Sequence, residues 1–434
     1  DAADGASLCA HQIWFRNRGY EEYHAGTKKK MRFSLPLWQR NVRYGEVDLA
    51  FFLIVIALLV MGIVMMFSAS YAWAIAEGRD GTYYAVSQIK NAVVGLVIMC
   101  VLCLIDYHFL QKKFIAVCAY VLPILLLIMV FVPGIGVTDG GATRWIAIGS
   151  FNFQPSEVMK IGIVIFFSYV IEKNYANMRS FRKGLLPLLF AMAVPAALLI
   201  KEPHLSATVL IAMTCIILIF VGGADIKQFL ILGAVALGGA LLIGFLMSGH
   251  YEYIGKRIAS WRDPFSDSLG DTWQTCQSLI AIGSGGLFGL GLGESRQKYL
   301  YLPETKNDFV FSIVCEELGL VGALTVVLLF ALLVIRGFHI AMHARDKFGM
   351  LVAIGLTSHI GLQAFFNIAV VSNLIPNTGI SLPFFSYGGT ALILQLAEMG
   401  IVLNISRVRY RVGAKAPAAK PAEETTEQLQ GGNA

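Results

Sequence analysis

Ten apolar runs of membrane-spanning length, separated by short polar connections, leave this chain few folds to choose from. A helix needs about 20 apolar residues to cross the hydrocarbon of a bilayer. Such runs occupy 49–70, 89–106, 114–133, 154–171, 185–200, 207–222, 229–247, 309–335, 350–371 and 385–405, those at 185–200 and 207–222 being short. Lipid offers no hydrogen bonds, so each segment must satisfy its own backbone, and the expected fold class is an all-α polytopic membrane protein of about ten helices. Only 14% of the residues are charged, against roughly a quarter in soluble domains.

Lysine and arginine in the short loops set the orientation. One side holds Lys112, Lys113, Lys173, Arg179, Arg182, Lys183, Lys227, Arg336, Arg345 and Lys347; the other holds only Arg79, Arg144 and Lys201. Both tails are basic, with Lys28, Lys29, Lys30, Arg32, Arg40 and Arg43 at one end and Arg407, Arg409 and Arg411 at the other. An even number of spans with both tails cytoplasmic fits every short loop. Residues 1–48 then form a basic cytoplasmic tail, 49–407 the membrane domain, 248–307 a large outer loop within it, and 408–434 a disordered cytoplasmic tail. The first 48 residues lack the apolar core of a cleavable signal peptide. The chain starts at Asp1, with Met31 after three lysines, and no function is placed in its first thirty residues.

The net charge of +6 is dispersed over many loops, which suits anionic lipid headgroups and gives no argument for nucleic acid. The seven cysteines form no disulfide framework. Cys100 and Cys103 have redox spacing but lie mid-span without a neighbouring histidine, and read as small apolar filler.

Ionisable residues inside spans need a partner or a task. The fourth span opens Gln154-Pro155-Ser156-Glu157, with Pro155 suited to the first helical turn and Glu157 to the positive end of the helix dipole. Lys160 lies about 9 Å below Gln154, and Glu316 about 12 Å below Asp308, at the helical rise per residue. The similar depths lead us to expect neutralisation of Lys160 and Glu316 across the bundle, as a structural ion pair or as the wall of an outward cavity for a charged headgroup. Glu398, deeper in the tenth span, is expected to be structural. Arg144, beside Trp145, is either an interfacial anchor or a phosphate contact.

The outer loop concentrates the chemistry. It carries Asp263, Asp267 and Asp271, followed by a glycine-rich run from Gly283 to Gly293. That run follows no strand, so helix packing or a re-entrant turn is the better reading than a phosphate cradle. No nucleotide donor is at hand outside a cell membrane, so group transfer there calls for an activated, lipid-linked substrate. A glycosyl diphosphate lipid fits, because its leaving group needs no proton and one general base can activate the acceptor hydroxyl. The residues alone leave enzyme and transporter both open.

Several blocks in order carry a resemblance: Arg144-Trp145; Gln154 to Glu157 with Lys160; Trp261 to Gln274; Gln277 to Gly283; Tyr301 to Glu304; Asp308 to Phe311; Glu316 to Gly319; and Ile375 to Gly389. In these the chain resembles the SEDS family of peptidoglycan glycosyltransferases, from about Val47 to Arg407. The resemblance implies ten spans, lipid II and undecaprenyl-diphosphate-linked glycan as substrates, and β-1,4 glycan polymerisation on the outer face. It implies a class B penicillin-binding transpeptidase and other division proteins as partners, in the bacterial cytoplasmic membrane at the division septum. The family's essential aspartate maps to Asp267, with Asp263 as runner-up. Asp267 would act as base or hold a divalent cation, Mg or Mn; no nucleotide or organic cofactor is implied. Arg144, Lys160 and Lys298 are the candidates for the anionic head, with Gln154, Glu157, Gln277, Glu316 and Ser386 as further substrate-binding candidates.

His204 stands where the family commonly has aspartate, Thr272-Trp273 replaces a usual Gly-Tyr, and Asn373 and Asn377 are unusual in the terminal motif. The segments Asn367 to Val371 and Pro376 to Ser381 look closer to the division and sporulation branch than to the elongation branch. The competing functions are a flippase for lipid-linked precursors and a non-enzymatic division scaffold.

Overall fold

The computed structural model describes residues 42–43, 45–139, 142–148, 151–202, 204–225, 227–228, 260–267, 270, 272–407 and 410–411. The two expected tails, the seventh span at 229–247 and Asp271 lie outside or almost wholly outside these residues. Helices appear at the nine other expected spans: α1 (Leu49–Ala76), α2 (Tyr83–Leu104), α3 (Lys113–Met129), α4 (Pro155–Lys173), α5 (Leu186–Lys201), α6 (Leu205–Val221), α8 (Val310–Met342), α9 (Lys347–Val371) and α10 (Gly389–Arg407). Six of the described helices are long and apolar enough to cross a membrane, and α3 and α6 are shorter apolar helices. One further helix, α7 (Trp273–Ser284), belongs to the outer loop.

Ties between elements distant in sequence hold both ends of the bundle. At the expected inner end, Arg336 of α8 pairs with Asp48, the N-cap of α1, at 2.9 Å. There too His108 bridges Asp106 at 2.5 Å and Asp346, the N-cap of α9, at 2.9 Å. At the expected outer end, Ser68 of α1 donates to Glu317 of α8 at 2.7 Å. The two tie points lie about 20 residues apart on both helices, or roughly 30 Å, which is the thickness of a bilayer's hydrocarbon.

The connection before α4 is more ordered than a loop. It forms an antiparallel sheet of β1 (Gly136–Asp139), β2 (Ala142–Ile148) and β3 (Phe151–Phe153), in which Val137 faces Trp145 and Ile146 faces Phe153. Alternation along β2 puts Arg144 and buried Ile146 on one face.

α8 is interrupted at Gly319, whose φ of 65° and ψ of −164° are not helical. The glycine-rich run fills the break. Leu290 and Gly291 donate to the carbonyls of Glu316 and Glu317 at 2.9 and 3.1 Å, while Leu320 and Val321 donate to Gly286 and Leu287 at 2.9 and 3.1 Å. A Cβ on Gly289 would sit 2.1 Å from the Glu317 carbonyl oxygen, so only glycine permits this approach. The run is therefore a packed turn against a broken span, and the interrupted backbone is satisfied by protein as lipid requires.

Candidate active site

The connection from α9 to α10 (372–388) organises the outer end. Trp261 donates through Nε1 to the Asn373 carbonyl at 3.1 Å, and Asn373 Nδ2 donates back to the Trp261 carbonyl at 3.1 Å. Asn373 has φ 57°, a left-handed conformation that asparagine tolerates better than most residues. Asn377 Nδ2 then reaches Gln274 Oε1 on α7 at 2.9 Å. Asn373 and Asn377 are thus the fasteners of the acidic segment.

Between these fastenings the chain turns twice. Asp263 Oδ1 accepts from the Phe265 amide at 3.3 Å, closing its own turn. Asp267 is exposed, and the Gly270 amide donates to its carbonyl at 3.0 Å. A Cβ at position 270 would come within 2.2 Å of the Asp267 carboxylate, so the small residue there leaves room for it.

Further along, the same connection meets the fourth span. Gln363 of α9 donates to the carbonyl and hydroxyl of Ser381, both at 3.1 Å, and accepts from Lys160 Nζ at 3.0 Å. Lys160 also pairs with Glu157, one turn earlier on α4, at 2.8 Å. Both are buried. Pro155 occupies the first turn of α4 after Gln154 at its N-cap, as the sequence suggested. Asn367 Nδ2 holds the carbonyls of Asp308 and Ile380 at 2.7 and 2.6 Å. Burial and nearby Glu304 push the Asp308 carboxyl up to about 6, opposed by Arg144. Arg144 Nε donates to the Glu202 carbonyl at 3.4 Å, at the junction of α5 and α6.

The expected cross-bundle pair is not formed. Lys160 is neutralised on its own helix, while the ion pair in α8 joins Glu317 to Lys298 at 3.0 Å. Lys298 Nζ also donates to Ser68 Oγ at 3.1 Å and to the Gly293 carbonyl at 2.5 Å, and its side chain is 4% exposed. Its charge is committed within the protein, not turned to an anionic head. Glu316 likewise accepts from the Ser295 hydroxyl and from the amides of Arg296 and Gln297 at 3.0 and 3.4 Å. The two consecutive glutamates pin one turn of the outer loop. Ser386 accepts from the Leu382 amide at 2.7 Å and donates to the Asn307 carbonyl at 2.5 Å, which assigns its hydroxyl to the backbone. Gln277 is buried on α7. Glu398 pairs with His359 at 3.1 Å in the helix interior, as a structural role requires. Gln363 and Glu202 were not singled out from sequence, and Asn367 only as a mark of the family branch; polar residues inside apolar runs were the available signal for Gln363 and Asn367.

Arg144, Lys160, Gln154 and Glu157 thus gather at the outer end under the connection that also fastens the Asp267 segment. Arg144 and Lys160 can hold a phosphorylated headgroup, and the exposed Asp267 carboxylate can activate a hydroxyl.

The family model of FtsW/RodA/SpoVE cell cycle proteins matches residues 48–411. The chain is 40% identical over 363 residues to stage V sporulation protein E of Bacillus subtilis (strain 168), covering 83% of this chain and 97% of that protein. It is 38% identical over 359 residues to the "Probable peptidoglycan glycosyltransferase FtsW" of Geobacter sp. (strain M18), covering 83% and 96%. Among solved structures it resembles a chain from a peptidoglycan synthase complex that coordinates polymerization and crosslinking, with TM-score 0.70 and 26% identity over 86% of this chain and 100% of that one. It also resembles the rod shape determining protein RodA of Thermus thermophilus, with TM-score 0.61 and 26% identity over 84% and 98%.

Proposed function

Because the chain belongs to the FtsW/RodA/SpoVE family, the SEDS peptidoglycan glycosyltransferases of bacterial membranes, we propose that it polymerises lipid II into β-1,4 glycan strands with Asp267 as the general base. The observation that carries the assignment is the exposed Asp267, whose segment is fastened through Trp261 and Asn373 to the same connection, 372–388, that Lys160 reaches through Gln363 and Ser381.

The acceptor sugar presents its 4-hydroxyl to Asp267, which takes the proton as the oxygen attacks the anomeric carbon of the growing chain. The bond to undecaprenyl diphosphate breaks, and the diphosphate departs with its electron pair and without obligatory protonation. Arg144 offsets its charge, and Lys160 assists, with Glu157 and Gln363 setting the position of that ammonium and Gln154 at the mouth of the same helix. Single displacement inverts the sugar carbon and gives the β linkage. General-base assistance of this kind is worth about 10² to 10⁴ in rate.

A divalent cation, Mg or Mn, would belong on the diphosphate. Among the described residues no three His, Cys, Asp or Glu side chains converge on a point. These side chains do not make a metal site by themselves.

The resemblance to a component of a peptidoglycan synthase complex supports a class B penicillin-binding transpeptidase as partner. The relatives named for sporulation and FtsW support the division and sporulation branch and, with it, action at the septum, while the lysine and arginine bias of the short loops supports both termini cytoplasmic. The cross-bundle ion pair that gave a flippase its motive is absent, so the enzyme is the reading put forward.

The test is purified protein with its cognate transpeptidase and lipid II, assayed for glycan strands. Wild type should give polymer; Asp267→Asn and Asp267→Ala, at equal folded amount, should give essentially none. Normal polymerisation by both variants would remove Asp267 from the mechanism.

A further inference from the structure

The junction between α5 and α6 holds two buried side chains with polar atoms that find no hydrogen-bond partner among the described residues. Glu202 is 2% exposed, and neither carboxyl oxygen has a hydrogen-bond partner among the described residues. His204, at the N-cap of α6, is 8% exposed with Nδ1 unpartnered. Thr378 Oγ1, on the connection that Ser206 of α6 touches through the Gly379 carbonyl at 3.4 Å, is a third buried orphan. Buried polar groups are nearly always paired, so three orphans around one corner mark a place built for something else to complete.

The charges facing that corner define what fits. Arg144 of β2 lies against the Glu202 carbonyl and acts on Glu202, His204 and Asp308 alike. Lys160 of α4, held by Glu157, acts on His204. Asp308 and Glu304 lie before α8. An apolar group would leave the orphans unsatisfied, and a cation would meet Arg144 and Lys160. An anion rich in acceptor oxygens meets both demands, provided that the carboxyl is not itself charged.

Resting on the reading of this end as the lipid-linked substrate's site, we propose that Glu202, as an uncharged carboxyl, and His204, as a neutral imidazole, are binding residues for the substrate's diphosphate. Each donates a hydrogen bond to a phosphate oxygen whose charge Arg144 and Lys160 offset. Burial pushes the Glu202 carboxyl up to about 8 against the pull of Arg144, and pushes the His204 imidazole down to about 3, which keeps both uncharged near neutrality. In the sequence His204 stands out only as a departure from the usual aspartate and reads as an interfacial histidine, and Glu202 carries no signal of its own.

The experiment measures binding of undecaprenyl diphosphate to the full chain in nanodiscs at pH 7 and pH 9. Only the protonated carboxyl donates, so a group titrating near 8 loses about tenfold in apparent affinity between those pH values. Wild type should show that loss on top of any fall shared by all variants. Glu202→Gln, which keeps a donor at every pH, should bind within about twofold of wild type at pH 7 and lack the extra loss. Glu202→Leu should bind about tenfold more weakly at pH 7. A Glu202→Gln profile that matches wild type overturns the proposal, even if Glu202→Leu is unstable. Arg144→Ala separates the two levels: unchanged binding means that the anionic head is not held here at all, whereas weakened binding with no effect of Glu202→Gln sinks only the present inference. Inorganic pyrophosphate titrated in parallel assigns the source of the diphosphate. Weak binding supports the lipid-linked ligand, and affinity equal to that of the lipid overturns it.

Discussion

Replacing Lys298 by methionine separates a structural cation from a substrate-binding one. The side chain is 4% exposed, and its ammonium answers Glu317, which is fully buried and among the described residues otherwise accepts only from Ser68 and the Ser295 amide. Methionine conserves most of the volume but leaves a carboxylate at the outer edge of the hydrocarbon without its counter-ion. Breaking a buried pair from one side costs about 3–5 kcal/mol, mostly the penalty of the stranded charge. Lys298→Met should therefore lose about that much in equilibrium unfolding from mixed micelles. Lys298→Met with Glu317→Gln, which removes the stranded charge while keeping an acceptor for Ser68, should recover to within about 1 kcal/mol of wild type. The KM for lipid II should stay within about twofold of wild type in the double variant, since neither group meets the substrate. The reasoning is refuted if the single variant is as stable as wild type while KM rises tenfold or more in both variants.

Gly289→Ala forces a Cβ to within 2.1 Å of the Glu317 carbonyl oxygen at φ 80°. It should destabilise by about 3 kcal/mol or more through left-handed strain and weakened hydrogen bonds to α8, with faster amide exchange at Leu290 and Gly291 as the direct readout. Asn373→Ala removes one of the two bonds to Trp261 and puts alanine at φ 57°. Polymerisation should fall about tenfold or more through kcat while the thermal midpoint moves little; an unchanged kcat would mean that the acidic segment is positioned otherwise. At the inner end, Asp106 and Asp346 raise His108 from its ordinary range to about 9, against the effect of burial. Its contribution to stability is full below about pH 6.5 and is lost as pH rises through about 9. His108→Gln should flatten that part of the stability profile, and an unaltered slope would reject the bridge.

The nine spans within the described residues were legible because lipid imposes one rule on every segment, and their boundaries agree with the structure to within a few residues in most cases. Pro155 and Glu157 announced the start of α4 for the same local reason that they occupy it. The three-stranded sheet was harder to see. Thr143-Arg144-Trp145-Ile146 alternates, but its partners are short and set among glycines, and the run is only seven residues long. Partners across the bundle were not legible at all. Depth along a helix says nothing about azimuth, so Lys160 and Glu316 share a level without sharing a face. Nor does an isolated glycine in an apolar run declare a break, and Gly319 became one because the loop arrives to take up its neighbours' hydrogen bonds.

The two asparagine fastenings carry a consequence for how such chains can diverge. Trp261 and Gln274 are moored to Asn373 and Asn377, four positions apart on one connection. The stretch 262–273 therefore bridges two fixed posts, and an inserted or deleted residue there would either slacken or overdraw the span and carry Asp267 off its mark. Descendants of this gene should accept exchanges of side chain within that interval far more readily than any change in its length.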